Sequence, residues 1–428
     1  MSKKNKKTNN SKSANDIFLN GPVNYFKLTK AGTEINLFMD LHAPINRQRK
    51  CEDYDAKDID KYLNKVMTEN DNTNTNLDFF LEINPTSVNS TYKYFSNDNY
   101  LQSIRKMFSK LYKEKHYDSK TPLQSVRLHY MDIRDYASFN DTRKLFINIT
   151  SELDTNKLDN INIIIRDLST VKNILFFIGN MIKAIIDGRP LDNNLSKKQI
   201  DYINMSELQT DSSGEKLSQI QILDIGLYQI LEKILTDYEK SKNKDKIIQL
   251  FNTHYIDTSN YVINELTDLI MKLTSIDKSI DEYVIGEKIT FEQINPKGKD
   301  CERDVLPYYY YPLDKYKKEC NYTIDKINVI STLVMKMGTI IMDCYFLRRL
   351  IDNQNITKSI VYTGSYHTVV YLWFLIKYCN YNIEDYFYMS PNMTVKKLVD
   401  LISRSDYLDI MEFVIPNRIN QCVKIKKI

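Results

Sequence analysis

The sequence LDFFLEI at Leu77–Ile83 is a short, densely apolar run, and three similar runs occur along the chain. They are EINLFMDL at Glu34–Leu41, VRLHYMDI at Val126–Ile133 and SIVYT at Ser359–Thr363. Such runs are typical of strands buried on both faces of a largely parallel sheet. Polar segments with helical spacing, near 57–69 and 100–115, are long enough for crossover connections. The sequence therefore predicts an α/β fold whose core is a mostly parallel sheet of four or more strands, flanked by helices.

The central part of the chain has a different character. From about Thr142 to Asp281 apolar residues recur every three or four positions, as amphipathic helices require. A stretch with several prolines follows and leads back to a long apolar helix and the fourth strand. We therefore predict a disordered basic tail at 1–15, a first part of the α/β core at 16–141, a large all-helical insertion at 142–285, an irregular linker at 286–320 and a second part of the core at 321–428.

The net charge depends on the two ends of the chain. The formal charge is +4, but eight lysines lie in the terminal segments, namely Lys3, Lys4, Lys6, Lys7, Lys12, Lys424, Lys426 and Lys427. Without these eight charges the formal charge of the remainder is −4, so we expect the folded body not to bind nucleic acid. No uninterrupted apolar run reaches about 18 residues, which argues against a membrane span.

The amino-terminal segment MSKKNKKTNNSKSAN lacks the apolar stretch of a secretory signal, so we expect a chain that is not secreted. The six cysteines form no C-x-x-C pair and no compact framework, and in such a chain we expect reduced thiols. The sequence also lacks a Gly-rich phosphate loop and the G-x-S-x-G and H-E-x-x-H motifs. These absences exclude the commonest nucleotide-binding, serine hydrolase and zincin patterns.

Candidate functional residues lie where the four predicted strands end. In an open α/β sheet, ligands bind beyond the carboxyl ends of the strands. We expect the residues at these ends to converge, namely Asp40, His42, Glu82, Asp132, Arg134 and His367. Imidazole and carboxylate groups together suit a divalent metal ion, or acid–base chemistry without one. Gly364 fits the tight turn that would bring His367 to a helix start.

Each of these residues also has an ordinary structural interpretation. The two histidines at strand ends can be plain loop residues. Glu82 can be an ion-pair partner of Arg134 or Arg105, because a buried carboxylate is costly when it is unpaired. Asp132 and Arg134 can form a structural ion pair. His129, in the middle of a strand, is expected to be a packing residue with satisfied hydrogen bonds.

Two short motifs resemble a known superfamily. Gly364-Ser365-Tyr366-His367 matches the late G-x-x-H motif of the superfamily that includes erythromycin esterase, the ChaN haem-binding lipoproteins and the TraB/TIKI proteins. Met39-Asp40-Leu41-His42 is similar to its early G-E-x-H motif, with Met in place of Gly and Asp in place of Glu. The resemblance implies an α/β core with helical insertions.

The two motifs together indicate a hydrolase of ester or peptide bonds, with or without a metal. In this hypothesis Asp40 or Glu82 is the general base, and His42 and His367 are metal ligands or an acid–base pair. Arg134 would orient an anionic group of the substrate. Asp132 completes the set of candidate catalytic residues.

The run LDFFLE, ending at Glu82, and the later VRLHYMDIR look like sequences in uncharacterised proteins of giant, mimivirus-like DNA viruses of amoebae. This resemblance implies a protein of the host cytoplasm or the virion, with an unknown substrate or a viral or host protein as its partner. The alternative to an enzyme is a non-catalytic virion or host-interaction protein with a relict site. The resemblance to the ChaN proteins implies a further alternative, a protein that binds haem or another small ligand.

Overall fold

The computed structural model describes residues 16–47, 51–53, 55–71, 75–84, 99–117, 123–134, 139–154, 161–189, 223–236, 238–294, 313–417 and 420–428. The predicted tail at 1–15 lies outside these ranges. The chain forms two compact units, and the first combines residues 1–133 with residues 345–428. The second unit consists of residues 134–344.

All described strands belong to the first unit. They are β1 (Asp16–Asn20), β2 (Asn24–Lys30), β3 (Thr33–Asp40), β4 (Lys57–Asp58), β5 (Leu77–Leu81), β6 (Val126–Tyr130), β7 (Lys358–Gly364), β8 (Asn382–Tyr386) and β9 (Cys422–Lys426). The four apolar runs that we predicted as strands form β3, β5, β6 and β7.

The described helices are α1 (Ile59–Asp71), α2 (Tyr100–Tyr117), α3 (Phe139–Asp154), α4 (Ile161–Ile186), α5 (Leu223–Leu235), α6 (Ser241–Phe251), α7 (Asp257–Ile294), α8 (Leu313–Asp352), α9 (Ser365–Cys379), α10 (Val395–Arg404) and α11 (Met411–Val414). A π-helical turn, Asn252–Ile256, joins α6 to α7. Short 3-10 helices cover Ile45–Arg47 and Tyr407–Ile410.

The main sheet is mixed, which corrects the predicted mostly parallel core. Its order is β6-β5-β7-β3-β2-β8. The pairs β6-β5, β5-β7 and β7-β3 are parallel, whereas β3-β2 and β2-β8 are antiparallel. A two-residue turn, Ala31-Gly32, joins β2 to β3, and both residues have positive φ angles, 43° and 82°. That geometry suits a tight hairpin, which reverses the chain and places β2 antiparallel to β3.

One face of this sheet packs against α1 and α2. Phe38, Phe79 and Tyr362 on the strands are fully buried in this core together with Leu63 of α1 and Phe108 of α2. The Phe79 and Phe108 ring centroids are 5.7 Å apart. Burying a large apolar side chain contributes roughly 1.5–3 kcal/mol, so this layer holds the central strands in a fixed register.

A second, three-stranded sheet has the order β4-β1-β9. Cys51 forms a disulfide with Cys422 at the start of β9, and the two Cα atoms are 5.0 Å apart. This bond contradicts the expectation of reduced thiols for two of the six cysteines. The sequence could not indicate it because the partners are 371 positions apart and meet only when β9 pairs with β1.

The described part of the second unit is helical. In α4 the residues Leu168, Val171 and Leu175 form a buried stripe, and α4 packs along α7. Of the predicted irregular linker at 286–320, residues 286–294 are the end of α7 and residues 313–320 are the beginning of α8. The intervening residues lie outside the described ranges.

One stretch of helix, Asn321–Asp352, is long and apolar enough to cross a membrane by length and composition. More than half of its most apolar window is buried within the structure, as in the core helix of a soluble protein. It is therefore no clear membrane span.

Candidate functional site

The carboxyl ends of three neighbouring strands bring together residues from distant parts of the chain. In the register of the sheet, Asp40 at the end of β3 is paired with Gly364 at the end of β7. On the other side of β7, the backbone N–H of Glu82 donates to the carbonyl oxygen of Tyr362, 3.2 Å away. Asp40, Glu82 and Gly364 therefore lie together at one edge of the sheet.

The carboxylate of Glu82 is almost completely buried, with 3% of the residue exposed. Its Oε2 atom accepts hydrogen bonds from the backbone N–H of Gly364, at 2.8 Å, and from the hydroxyl of Thr363, at 3.0 Å. Burial of a carboxylate is costly unless donors compensate for lost water. These two donors, fixed by β7, hold Glu82 in one orientation.

The ring of His42 lies between two carboxylates. Its Nδ1 atom is 3.3 Å from Oδ1 of Asp40, and its Nε2 atom is 3.4 Å from Oε2 of Glu82. The backbone N–H of His42 also donates to Oδ1 of Asp40. His42 has a φ angle of 53°, in the left-handed region that side chains other than Gly, Asn, Asp and His rarely adopt. The Asp40 hydrogen bond keeps the backbone in this turn.

The charge of His42 follows from these contacts. Burial lowers the pKa of the imidazole, but its hydrogen bonds to Asp40 and Glu82 and the negative charges of these two groups outweigh burial and raise the pKa to about 9. The side chain of His42 is nevertheless 38% exposed. At neutral pH the site thus presents an imidazolium to solvent, with two buried carboxylates behind it.

His367 approaches the same carboxylate from α9. It is the third residue of that helix, and its Nε2 atom lies 3.9 Å from Oε1 of Glu82. Its side chain is buried, with 5% exposed. Glu82 therefore lies between the two histidines, each facing a different carboxylate oxygen.

Gly364 leaves the space that this arrangement requires. A Cβ atom at this position would lie 2.9 Å from Nε2 of His42 and 3.3 Å from Oε2 of Glu82. The backbone angles of Gly364 are ordinary for any residue. The absence of a side chain, not backbone freedom, is what allows the His42 ring to approach Glu82.

Asp132 and Arg134 follow β6, the strand that pairs with β5. Asp132 follows β6, and its backbone N–H donates to the carbonyl oxygen of Ile83, 3.1 Å away. Arg134 is the first residue of the second unit. Of the two arginines considered as partners of Glu82, Arg105 reaches it through the main chain, because its Nε donates to the Glu82 carbonyl oxygen at 2.7 Å.

Two contributors to the site were not predicted. Tyr362 donates its hydroxyl hydrogen to Oδ2 of Asp40, and Thr363 donates to Glu82. Both end the SIVYT run directly before Gly364. The position of this run was the available signal. Successive side chains of a strand point to opposite faces of the sheet, so the two polar residues that end a central strand lie beside the site, one on each face.

The described residues contain no group of three or more His, Cys, Asp or Glu side chains that could hold a metal ion. In this arrangement His42 and His367 do not fit a metal ion, and the two ring nitrogens of His42 show why. Both nitrogens face carboxylate oxygens, and an imidazolium has no lone pair to donate. The divalent metal stays a sequence prediction.

The fold and the site define a mixed α/β protein with a histidine–carboxylate cluster at the carboxyl edge of its sheet. The chain belongs to DUF5847, a family of unknown function that matches residues 17–428. This match covers both units.

Relatives occur in Acanthamoeba polyphaga mimivirus. Uncharacterized protein R706 is 26% identical over 95% of this chain and 95% of its own length, and uncharacterized protein R161 is 27% identical over 86% and 88%. The shorter uncharacterized protein R129 is 37% identical over 33% of this chain and 88% of its own length. These relatives support the predicted giant-virus origin, but they do not support the resemblance to erythromycin esterase. No solved structure matches the chain.

Proposed function

We propose that the first unit hydrolyses an ester or peptide bond by acid–base chemistry at His42, Glu82 and His367. The observation that carries the proposal is the buried carboxylate of Glu82 between two imidazoles, one of which is exposed. A buried carboxylate that is fixed by hydrogen bonds, beside a solvent-facing histidine, suits general acid–base catalysis.

In this proposal His42 is the general acid. Because its pKa is about 9, it carries a proton at neutral pH and gives it to the leaving oxygen or nitrogen as the scissile bond to the carbonyl carbon breaks. Water supplies the new bond to that carbon, and the proton it loses passes to the Glu82 and His367 pair. The imidazolium also stabilises negative charge that develops on the carbonyl oxygen.

The test measures hydrolysis of a panel of p-nitrophenyl esters and fluorogenic peptides by wild type and two variants. His42→Asn removes the titrating ring but keeps a residue that tolerates a positive φ angle. Glu82→Gln keeps the side-chain shape and removes the charge. We expect each variant to lower kcat/KM by about 100-fold or more, because general acid–base catalysis typically contributes this much.

His254→Asn is the matched control, because His254 belongs to the second unit, in the π-helical turn. It is expected to retain wild-type rates. Wild-type turnover that is equal to that of His42→Asn across the whole panel would rule out the proposed function.

A further inference from the structure

The hydroxyl of Tyr362 is a fully buried polar group of the site. Tyr362 is fully buried on β7, in the apolar layer that faces α1 and α2, and its hydroxyl donates to Oδ2 of Asp40. Burial, followed by the nearby charge of Asp40, raises the pKa of Tyr362 far above its ordinary value. The phenol therefore keeps its proton and remains a permanent donor.

Asp40 in turn uses its other oxygen for His42. Oδ1 accepts the backbone N–H of His42 and lies 3.3 Å from the ring Nδ1. Only 1% of Asp40 is exposed, so water cannot replace a lost partner. The orientation of the carboxylate thus depends on one partner residue for each oxygen, Tyr362 on the buried side and His42 on the open side.

We infer that Tyr362 is a positioning residue for His42, because its hydroxyl fixes the carboxylate of Asp40 in the orientation that holds the His42 ring and its left-handed backbone turn. The catalytic consequence rests on the proposed function, whereas the positioning itself does not. Tyr362 and Thr363 are adjacent on β7 and point to opposite faces of the sheet. One strand therefore orients both carboxylates that flank His42, Asp40 from one face and Glu82 from the other.

The charged groups around His42 set the direction of the expected effect. Its ring faces Asp40 and Glu82, while His367 and Arg105 contact Glu82 at its second oxygen and its carbonyl. Without the Tyr362 hydroxyl, Oδ2 of Asp40 would be left in an apolar layer. Asp40 can relieve this by rotating away from His42, which then loses a stabilising anion.

The experiment follows the proton NMR titration of His42 in protein with ¹³C-labelled histidine, with the His42 signal assigned by its loss in His42→Asn. In Tyr362→Phe we expect the pKa of His42 to fall by about 1 or more, because an opposite charge a few ångströms away typically contributes this much. Asp40→Asn should give a similar fall, and the two substitutions together should give little more than either alone.

Tyr25→Phe is the matched control. Tyr25 lies in the same apolar layer, 5.0 Å from Phe38 between ring centroids, and donates its hydroxyl hydrogen to Oδ1 of Asn36 at 2.6 Å. The Tyr25→Phe variant also loses a buried tyrosine hydroxyl, but this hydroxyl does not contact Asp40. The pKa of His42 should therefore not change. An unchanged or higher pKa of His42 in Tyr362→Phe, or an equal fall in Tyr25→Phe, would overturn the inference.

The titration also separates this inference from the proposed function. If the protein is a hydrolase, the alkaline limb of kcat/KM against pH should move down in Tyr362→Phe by the same amount as the NMR titration. A fall in the NMR titration without any hydrolysis supports the positioning role and ends the proposed function. Hydrolysis with an unmoved titration overturns the positioning role alone.

Discussion

Two histidines near the same sheet, His42 beyond the end of β3 and His129 within β6, each contact an aspartate. Their pKa values are nevertheless shifted in opposite directions. His129 donates from Nε2 to Oδ1 of Asp78, 2.7 Å away, and its Nδ1 lies 2.8 Å from the guanidinium of Arg349. His42 has a second carboxylate where His129 has the guanidinium.

The second neighbour decides the charge. Burial lowers the pKa of His129, and the charges of Arg349 and Arg127 lower it further against the opposing effect of Asp78. An Arg donor also fixes the tautomer, because Nδ1 must accept and Nε2 must carry the hydrogen. His129 is thus a neutral structural residue, as predicted from its position, and it stacks on Phe80 with ring centroids 4.4 Å apart.

The largest expected effect concerns the stability of the His129 region. Asp78 is fully buried and binds Arg127 at 2.6 Å as well as His129. Asp78→Ala leaves the Arg127 guanidinium and the His129 ring N–H without their shared anion, so the free energy of unfolding should fall by about 3 kcal/mol or more. Urea denaturation followed by the fluorescence of Trp373, the single tryptophan, measures this within the first unit.

The control for Asp78→Ala is Asp400→Ala, because Asp400 is an exposed residue of α10 in the same unit. Its effect should stay within about 0.5 kcal/mol. If both variants lowered the free energy of unfolding by the same small amount, the contacts of Asp78 would not stabilise the fold. The proposed contrast between the His129 and His42 regions would then be wrong.

The second effect concerns activity in the His42 region. In Gly364→Ala the added methyl group would press on the His42 ring and displace it from Glu82, so we expect kcat to fall about 100-fold with little loss of stability. Gly179→Ala is the control, since its nearest contact would be an ordinary 3.8 Å to Oγ of Ser259. An active Gly364→Ala protein would show that the close approach of His42 and Glu82 is unnecessary.

The smallest effect is the pH dependence of stability, where the two histidines should act in opposite directions. The folded-state pKa of His42 is raised, so its contribution is complete below about 6.5 and is lost as the pH rises through about 9. The folded-state pKa of His129 is lowered, so stability is lost as the pH falls below about 6.5. Since His42 is partly exposed, its contribution should be less than about 1 kcal/mol.

Urea midpoints of wild type, His42→Asn and His129→Gln at several pH values would show this. The difference between wild type and His42→Asn should shrink on the alkaline side, and the difference between wild type and His129→Gln should shrink on the acid side. Parallel curves for the two variants would contradict the assigned charge states.

The sequence was sufficient for the parts of the fold that depend on local apolar density. The runs that form β3, β5, β6 and β7 are recognisable because central parallel strands are apolar on both faces. The β2–β3 hairpin was missed because its turn uses Ala31 in a left-handed conformation, where Asn or Gly is the usual signal. The sheet containing β1 and β9 pairs opposite ends of the chain, which no local pattern indicates.

The same division applies to the candidate site. The rule that ligands bind at strand ends grouped Asp40, His42, Glu82 and His367. In the structure His42 contacts both Asp40 and Glu82, and Glu82 also contacts His367. The role of Tyr362 depends on register, because its hydroxyl reaches Asp40 only when β7 lies beside β3. Register is a property of the assembled sheet.

The bond between Cys51 and Cys422 has a topological consequence: it closes a covalent ring that contains every residue between them, including the whole second unit. A single proteolytic cut anywhere in that ring would leave one disulfide-linked molecule on a non-reducing gel. The two fragments would separate only after a reductant was added. The two parts of a chain that is nicked in its central region would thus stay covalently linked for as long as the surroundings remain oxidising.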